Sequence, residues 1–343
     1  MQTKSKKKFN LNSQWLMNNA IYIVLVALLI GICIISPDFL SLKNFINILS
    51  QSSSRIIIAL GVGGILLTEG TDLSAGRTVG LAAVVSASLL QAGDYAYKMY
   101  PNLPELPIFI PILIAMAVCG IVGLVNGLVV SKFNVPPFIA TLGMMTGIYG
   151  LNSIYFDRPP YGAMPIGGLS QSFSNFTLGS IPIYGNIKIP YLVIYAIIVI
   201  AVIWTLWNKT KFGKNLYAIG GNREAAVVSG VNVVRTLLLV YMLAGVLYGF
   251  AGTLEAGRVG SATASTGEMY ELDAIASCVA VGGVSTAGGV GTVPGIVTGV
   301  LIFQVINYGL AFIGVSPYLQ FVIKGLIIVL AVALDMRKYM KKN

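Results

Sequence analysis

The chain has 343 residues, of which 56% are apolar and only 10% charged. Soluble domains carry about a quarter charged residues, so this composition excludes a soluble enzyme and points to a polytopic membrane protein. The formal charge of +10 does not mark a nucleic-acid binder. Its basic residues gather at Lys4, Lys6, Lys7 and Lys8, within residues 208–235, and at Arg337, Lys338, Lys341 and Lys342, as the positive-inside rule gives for cytoplasmic segments.

A membrane span needs about 20 apolar residues. After a basic segment, 1–19, segments of that kind fall near 20–36, 54–69, 74–92, 107–131, 137–156, 190–207, 236–257, 273–286, 289–313 and 317–336. The first has no small-residue cleavage site and reads as an uncleaved span. Segments 54–69 and 273–286 are short and read as half-helices or re-entrant pieces. The expected fold is a single all-α transmembrane domain over residues 1–343, with about ten helices, some short or broken. Ten crossings place both termini in the cytoplasm, put 208–235 on the same side, and put 157–189 outside. Only Arg158 and Lys188 are basic in that outer stretch, in agreement. Glycines recur at four-residue spacing as Gly123/Gly127, Gly143/Gly147, Gly245/Gly249 and Gly295/Gly299. That spacing lets helices approach closely in lipid.

Candidate chemistry is sparse. Histidine is absent, which removes the commonest general base and metal ligand. Cys33, Cys119 and Cys278 lie apart in apolar stretches and read as core residues, with no metal or disulfide spacing. Neither a phosphate-binding loop nor a nucleophile elbow is present, so neither a bound nucleotide nor a catalytic set is expected.

Two polar breaks interrupt the apolar runs. In the first, Glu69, Asp72, Ser74, Gly76 and Arg77 sit between spans. Polar groups there either line a solute pathway or cap the next helix, with Asp72 or Ser74 as the cap and Glu69 paired to Arg77. In the second, Gly282, Gly283, Ser285, Gly288 and Gly289 make either a tight turn between packed helices or a backbone that approaches another chain or a solute. Glu255, Arg258, Glu268, Glu271 and Asp273 flank the outer end of a span and read as solvated charges or a contact for an outside protein. Lys324 stands alone in the last apolar run, either snorkelling or paired with an unnamed carboxylate.

The 208–235 loop carries one short helix with well-formed ends. Asn222 suits the N-cap, Arg223 to Ser229 supply about two turns, and Gly230 suits a left-handed C-terminal stop. Helices shorter than about a dozen residues are marginal in water. With no partner inside the loop, this one is expected to pack on another protein.

The same loop carries a family resemblance. Phe212-Gly213, Ala218 to Asn222, Ala225-Ala226 and Ser229 to Asn232 resemble the cytoplasmic coupling loop of bacterial sugar permeases from ATP-binding-cassette importers. Thr71 to Gly76 is similar to a second motif of that family, with threonine for isoleucine and alanine for valine. Ser54 to Val62, Tyr270 to Ala276 and Lys324-Gly325 narrow the likeness, within the ribose, arabinose and galactose branch, to its galactose members. The resemblance implies a multi-pass protein of the bacterial inner membrane that carries galactose, methyl galactoside or a close relative. Its implied partners are a second permease copy, a cytoplasmic ATPase, a periplasmic sugar-binding protein and membrane lipid, with no nucleic acid. No cofactor is implied on this chain; ATP and Mg belong to the ATPase. Gly220, Gly221, Asn222, Glu224, Ala225, Ala226, Ser229 and Gly230 are the implied ATPase-coupling residues. The competing reading is an ion-coupled secondary sugar carrier, which needs an available intramembrane carboxylate among Glu69, Asp72 and Asp273.

Overall fold

The computed structural model describes residues 20–158, 162, 164–184 and 187–340. The basic segment 1–19, Lys341, Lys342 and part of the 157–189 stretch lie outside them. In chain order the helices are α1 (Ala20–Ile35), α2 (Leu42–Leu66), α3 (Ala75–Leu89), α4 (Phe109–Lys132), α5 (Pro137–Phe156) and α6 (Gln171–Leu178). A two-stranded antiparallel hairpin follows, β1 (Ser180–Tyr184) and β2 (Ile187–Pro190). Then come α7 (Tyr191–Lys209), α8 (Lys211–Gly221), α9 (Arg223–Val228), α10 (Val233–Val259), α11 (Tyr270–Ala276), α12 (Val293–Phe312) and α13 (Pro317–Met340). The fold is mostly helical, and the hairpin corrects the all-α expectation. Its residues Ile181 and Ile183 are exposed, so it adds little to the core.

Nine of the ten apolar segments lie largely on one helix each, and the tenth, 273–286, is broken. Among the described residues, five helices are long and apolar enough to cross a membrane: α2, α4, α7, α10 and α12. The expected short segment 54–69 is the apolar end of the 25-residue helix α2. In its polar half Ser52 and Ser53 donate their hydroxyls to the carbonyls of Ile48 and Leu49, at 2.7 and 2.8 Å. Such i−4 bonding hides a serine from its apolar surroundings. The other short segment is broken as expected. Helix α11 has seven residues and runs into a π turn at Ser277–Val281 before the chain leaves helical geometry.

Helix α10 runs through the core with α4, α3 and α2 packed around it. Four of the spaced glycines form the α4/α10 seam. A Cβ at Gly123 would overlap the Tyr241 carbonyl, and one at Gly245 would overlap that of Cys119. Gly127 and Gly249 face Leu238 and Met116 in the same way. Gly295 and Gly299 of α12 lie against the carbonyls of Gly282 and Ser277. Gly143 and Gly147 of α5 face open space within this chain.

The connections form two groups at opposite ends of the bundle. At one end, the amides of Ala92, Ser170, Ile166 and Ala262 tie 90–92 to 168–170 and 166 to 262. At the other, the breaks after α2 and α11 meet the α8/α9 segment.

The charges expected to be solvated at the end of α10 are mostly buried. Glu255 is 1% exposed, accepts from Ser54 (2.8 Å) and Tyr270 (2.9 Å), and pairs with Arg258 at 2.6 Å. Asp273 is shared by Arg55 at 3.4 Å and Lys324 at 3.1 Å, which supplies the partner that Lys324 lacked in sequence. Glu271 is also buried, and only Glu268 stands well out, pairing with Arg77.

The seam makes a direct test. Gly245→Val should cost about 1–3 kcal/mol or more through overpacking and lower the yield of folded protein in a thermal-stability assay of the solubilised chain. Gly147→Val, on an open face, should leave the monomer's melting temperature unchanged.

Candidate functional site

The 208–235 segment contains two helices, not one. Helix α8 begins at the N-cap Thr210, whose hydroxyl accepts from the Gly213 amide at 3.3 Å. It buries Leu216 and Ile219, and the Tyr217 hydroxyl donates to the Gly291 carbonyl at 2.9 Å. Burial pushes the Tyr217 phenol above its usual range. Helix α9 follows after Asn222, whose side chain accepts from the Ala225 amide at 2.8 Å. Its other end closes with Gly230 in the left-handed region (φ 83°), the Gly230 amide bonding to Val227 and the Val231 amide to Ala226. Together these two bonds satisfy carbonyls that a helix end otherwise orphans.

The expectation of no partner within the loop is therefore corrected. Helix α9 rests on α8 and inserts Ala226, only 3% exposed, into the main core. Its remaining surface is free: Arg223, Glu224, Ala225 and Ser229 are exposed, Val227 is 56% exposed and Val228 89%. A six-residue helix with caps at both ends, a buried foot and two outward valines has the form of a docking element.

Immediately before it lies a contact made of backbone. A Cβ on Gly220 would overlap both the Leu67 carbonyl oxygen and the Gly289 amide. The Gly289 amide itself donates to that Leu67 carbonyl at 2.9 Å. A Cβ on Gly288 would fall 2.8 Å from the Gly220 carbonyl and 3.0 Å from the Glu69 amide. Gly221, one residue on, faces open space. Thus Gly220, Gly288, Gly289 and Glu69, from three separate parts of the sequence, meet at one junction directly before α9.

The second break forms the tight turn its sequence allowed. Ser285 closes a tight turn, its amide donating to Val290 and its carbonyl accepting from Gly288, while Gly288 and Gly289 (φ 78° and 70°) approach the other segments. Gly282 packs back on Cys278, and a Cβ on Gly283 (φ 68°) would meet nothing.

In the first break, Asp72 is 2% exposed, and its Oδ1 accepts from the Ser74 amide (2.9 Å) and hydroxyl (2.6 Å). This is an Asx turn leading into α3, not a side-chain cap, and Ser74 makes no cap bond either. Asn126 of α4 donates to the Ser74 hydroxyl at 2.9 Å, and Thr141 of α5 accepts from the Leu73 amide at 3.1 Å. Gly76 allows the Gly267 carbonyl and the Glu271 carboxylate to approach α3. The expected Glu69–Arg77 pair does not form. Arg77 lies over the Tyr149 ring, 4.4 Å from its centroid, and pairs with Glu268 at 3.1 Å. Sequence reasoning passed over Leu67, Asn126 and Thr141, because nothing in an apolar or hydroxyl residue marks what it will touch.

Residues 44–332 match the family described as branched-chain amino acid transport system / permease component. The chain belongs to this permease family. Over all 343 residues it is 57% identical to the galactose/methyl galactoside import permease proteins MglC of Salmonella typhimurium and of Escherichia coli, covering the whole of each. It is 37% identical over 317 residues to the ribose import permease protein RbsC of Bacillus subtilis, covering 92% of both chains. No solved structure matches it. As a permease it is a transport subunit and not an enzyme, and its apolar helices suit a multi-pass membrane protein.

The junction makes a paired prediction. Gly220→Ala should abolish solute uptake while the permease still reaches the membrane, since its methyl group has only backbone to displace. Gly221→Ala should transport normally. Uptake by whole cells, scaled to membrane-inserted protein, reads both. In the first break, Asp72→Asn should retain most activity because the amide oxygen can accept the same two bonds. Asp72→Leu should lose it, leaving the buried Ser74 donors unpaired at a cost of about 1–3 kcal/mol.

Proposed function

We propose that this permease is the membrane-spanning subunit of an ATP-binding-cassette importer that carries galactose, methyl galactoside or a closely related monosaccharide across the bacterial inner membrane. The observation that carries the reading is the end-to-end 57% identity with permeases named for those sugars. A periplasmic binding protein delivers the sugar, two permease copies form the pore, and a separate cytoplasmic ATPase binds ATP and Mg. This chain holds no cofactor of its own. Ten crossings with both termini in the cytoplasm suit the sorting of the connections into two end groups. They put α8 and α9 on the ATPase side.

Helix α9, residues 222–229 with its caps, is the coupling element. The ATPase takes the exposed face bearing Glu224, Val227 and Val228. Because the bonds at both ends of α9 fix its shape, force applied there moves the helix as a body. Gly220 then passes the displacement to the ends of two membrane segments. The exposed face of α5, with Gly143 and Gly147 open, suits the second copy, since small residues let helices meet closely in lipid. Exposed Ile121, Ile197, Ile198 and Leu326 suit lipid.

An ion-coupled carrier has less to work with. Asp273 is neutralised by two cations and Asp72 already accepts two bonds from Ser74, which leaves Glu69 as the carboxylate such a carrier would have to use.

Reconstitution of the permease with its ATPase and binding protein, with ATP trapped inside the vesicles, tests the function. Galactose uptake should require ATP and the ATPase and persist with a protonophore. Deletion of residues 222–229 should abolish uptake. Uptake by the permease alone that collapses with the ion gradient would assign the protein to the secondary carriers.

A further inference from the structure

After α10 the chain turns back into the membrane. Ala262 is bonded to Ile166 at the end of the bundle away from α9. Farther on, the carbonyls of Thr266 and Gly267 lie against Gly80 and Gly76 of α3, and residues 264–269 form turns and no helix. Their depth follows from α10. Ser54, which donates to Glu255, is the middle residue of α2, and Gly61 of α2 packs on Ala244. Gly252 falls between these two contacts and packs on Val79 of α3. The start of α3 and the turns beside it are therefore level with the central part of α2. That helix is about 37 Å long, in a bilayer whose hydrocarbon core is about 30 Å thick.

What this place shows at that depth is polar and exposed. The Glu268 side chain is 54% exposed and pairs at 3.1 Å with Arg77, whose side chain is 18% exposed. Tyr149 of α5, under the Arg77 guanidinium, is 46% exposed, and Ser265 and Met269 are exposed beside it. Lipid suits neither feature. Irregular backbone at membrane depth occurs only within protein or beside water, and intramembrane charges face cavities and solute pathways. The glycine face of α5 that suits the second copy points elsewhere. With about 100° between successive helical residues, Tyr149 stands about 120–160° from Gly143 and Gly147. A water-filled pathway is the surrounding that remains.

The exposed groups select what passes. Arg77 and Glu268 cancel in charge and already pair, which disfavours a free ion. The carboxylate accepts from hydroxyls, the guanidinium donates to them, and the Ser265 hydroxyl does both. The Tyr149 ring offers an apolar surface. A monosaccharide matches that set, since each of its hydroxyls donates and accepts and one ring face presents C–H groups.

We propose that Arg77, Tyr149, Ser265 and Glu268 line the sugar pathway near mid-membrane and hold a passing monosaccharide weakly. The proposal rests on the sugar-importer reading above and gives it contact residues. From Glu268 the chain runs through α11 and the second break to Gly289, so movement at the Gly220 junction has a direct route to the site.

The test uses the full permease–ATPase complex in lipid nanodiscs, in a Cys33→Ser background, with labelling read on the permease chain. Ser265→Cys and Met269→Cys are separate reporters, and Ile197→Cys on the exposed apolar face of α7 is the control; Cys119 and Cys278 are buried. A charged, membrane-impermeant thiol reagent should label both reporters and not the control. Galactose should slow that labelling several-fold, and inorganic phosphate should not. Tyr149→Ala should raise the galactose concentration needed several-fold, and Tyr149→Phe should restore it. Leu151→Ala, on the outer surface of the same helix, should leave it unchanged. Reporters that stay silent in a complex that imports galactose place the segment against lipid or protein and overturn the site. Labelling that ignores galactose in such a complex also overturns it and leaves the transport function standing. Protection by phosphate assigns Arg77 to anions and overturns the sugar assignment. ATP-driven uptake in vesicles by the same complex reads transport separately, so absence of any sugar uptake counts against the function itself.

Discussion

Close approach of backbone to backbone, at positions where no side chain intervenes, is the constraint on which this bundle depends. In lipid there is no hydrophobic gain from bringing two apolar helices together, so association rests on dispersion contacts and on polar groups that find partners. Helix α10 can be enclosed by α4, α3 and α2 because Gly123, Gly245 and Gly249 remove the atoms that would hold the axes apart. Gly252 does the same against Val79 of α3. Once α10 is fixed, Glu255 near its end is buried and paired with Arg258, and Tyr241 nearer its start is buried against α4.

Two of the carboxylates are answered from distant parts of the sequence. Asp273 on the short α11 takes Arg55 from α2 and Lys324 from α13. Glu255 takes Ser54 from α2 and Tyr270 from α11. Removing one member of such a buried pair typically costs about 3–5 kcal/mol, because the other charge is left unanswered in an apolar setting. The broken helix α11 is held between α2 and α13 by these pairs and not by its own length.

Much of this was legible in the sequence, and the limits have physical causes. Helix positions followed from apolar run lengths, and α9 with both caps followed from Asn222 and Gly230, because capping is decided within a few residues of chain. The glycine spacing of α4 and α10 showed that helices meet there, though not which ones. Helix α8 was missed because Lys211, Lys214 and Asn215 gave its segment the composition of a loop. The serine-rich half of α2 was missed because hydroxyls bonded to their own helix behave as apolar groups that a hydropathy count scores as polar. Partners were the least legible part. Neither the Asp273–Lys324 pair nor the meeting of Leu67, Gly220 and Gly289 has any local signature, since both arise from how separate helices stack.

The Gly220 contact also bears on timing. Two touching backbones leave no slack, for a packed protein interior is stiff and there is no side chain between them to bend or change rotamer. Leu67 ends a helix from the first half of the chain, and Gly289 leads into one from the second half. Because both rest on the same residue, a push at α9, in the coupling role proposed for it, would reach both together. In that role the Gly220 contact would gear the two halves of the permease together.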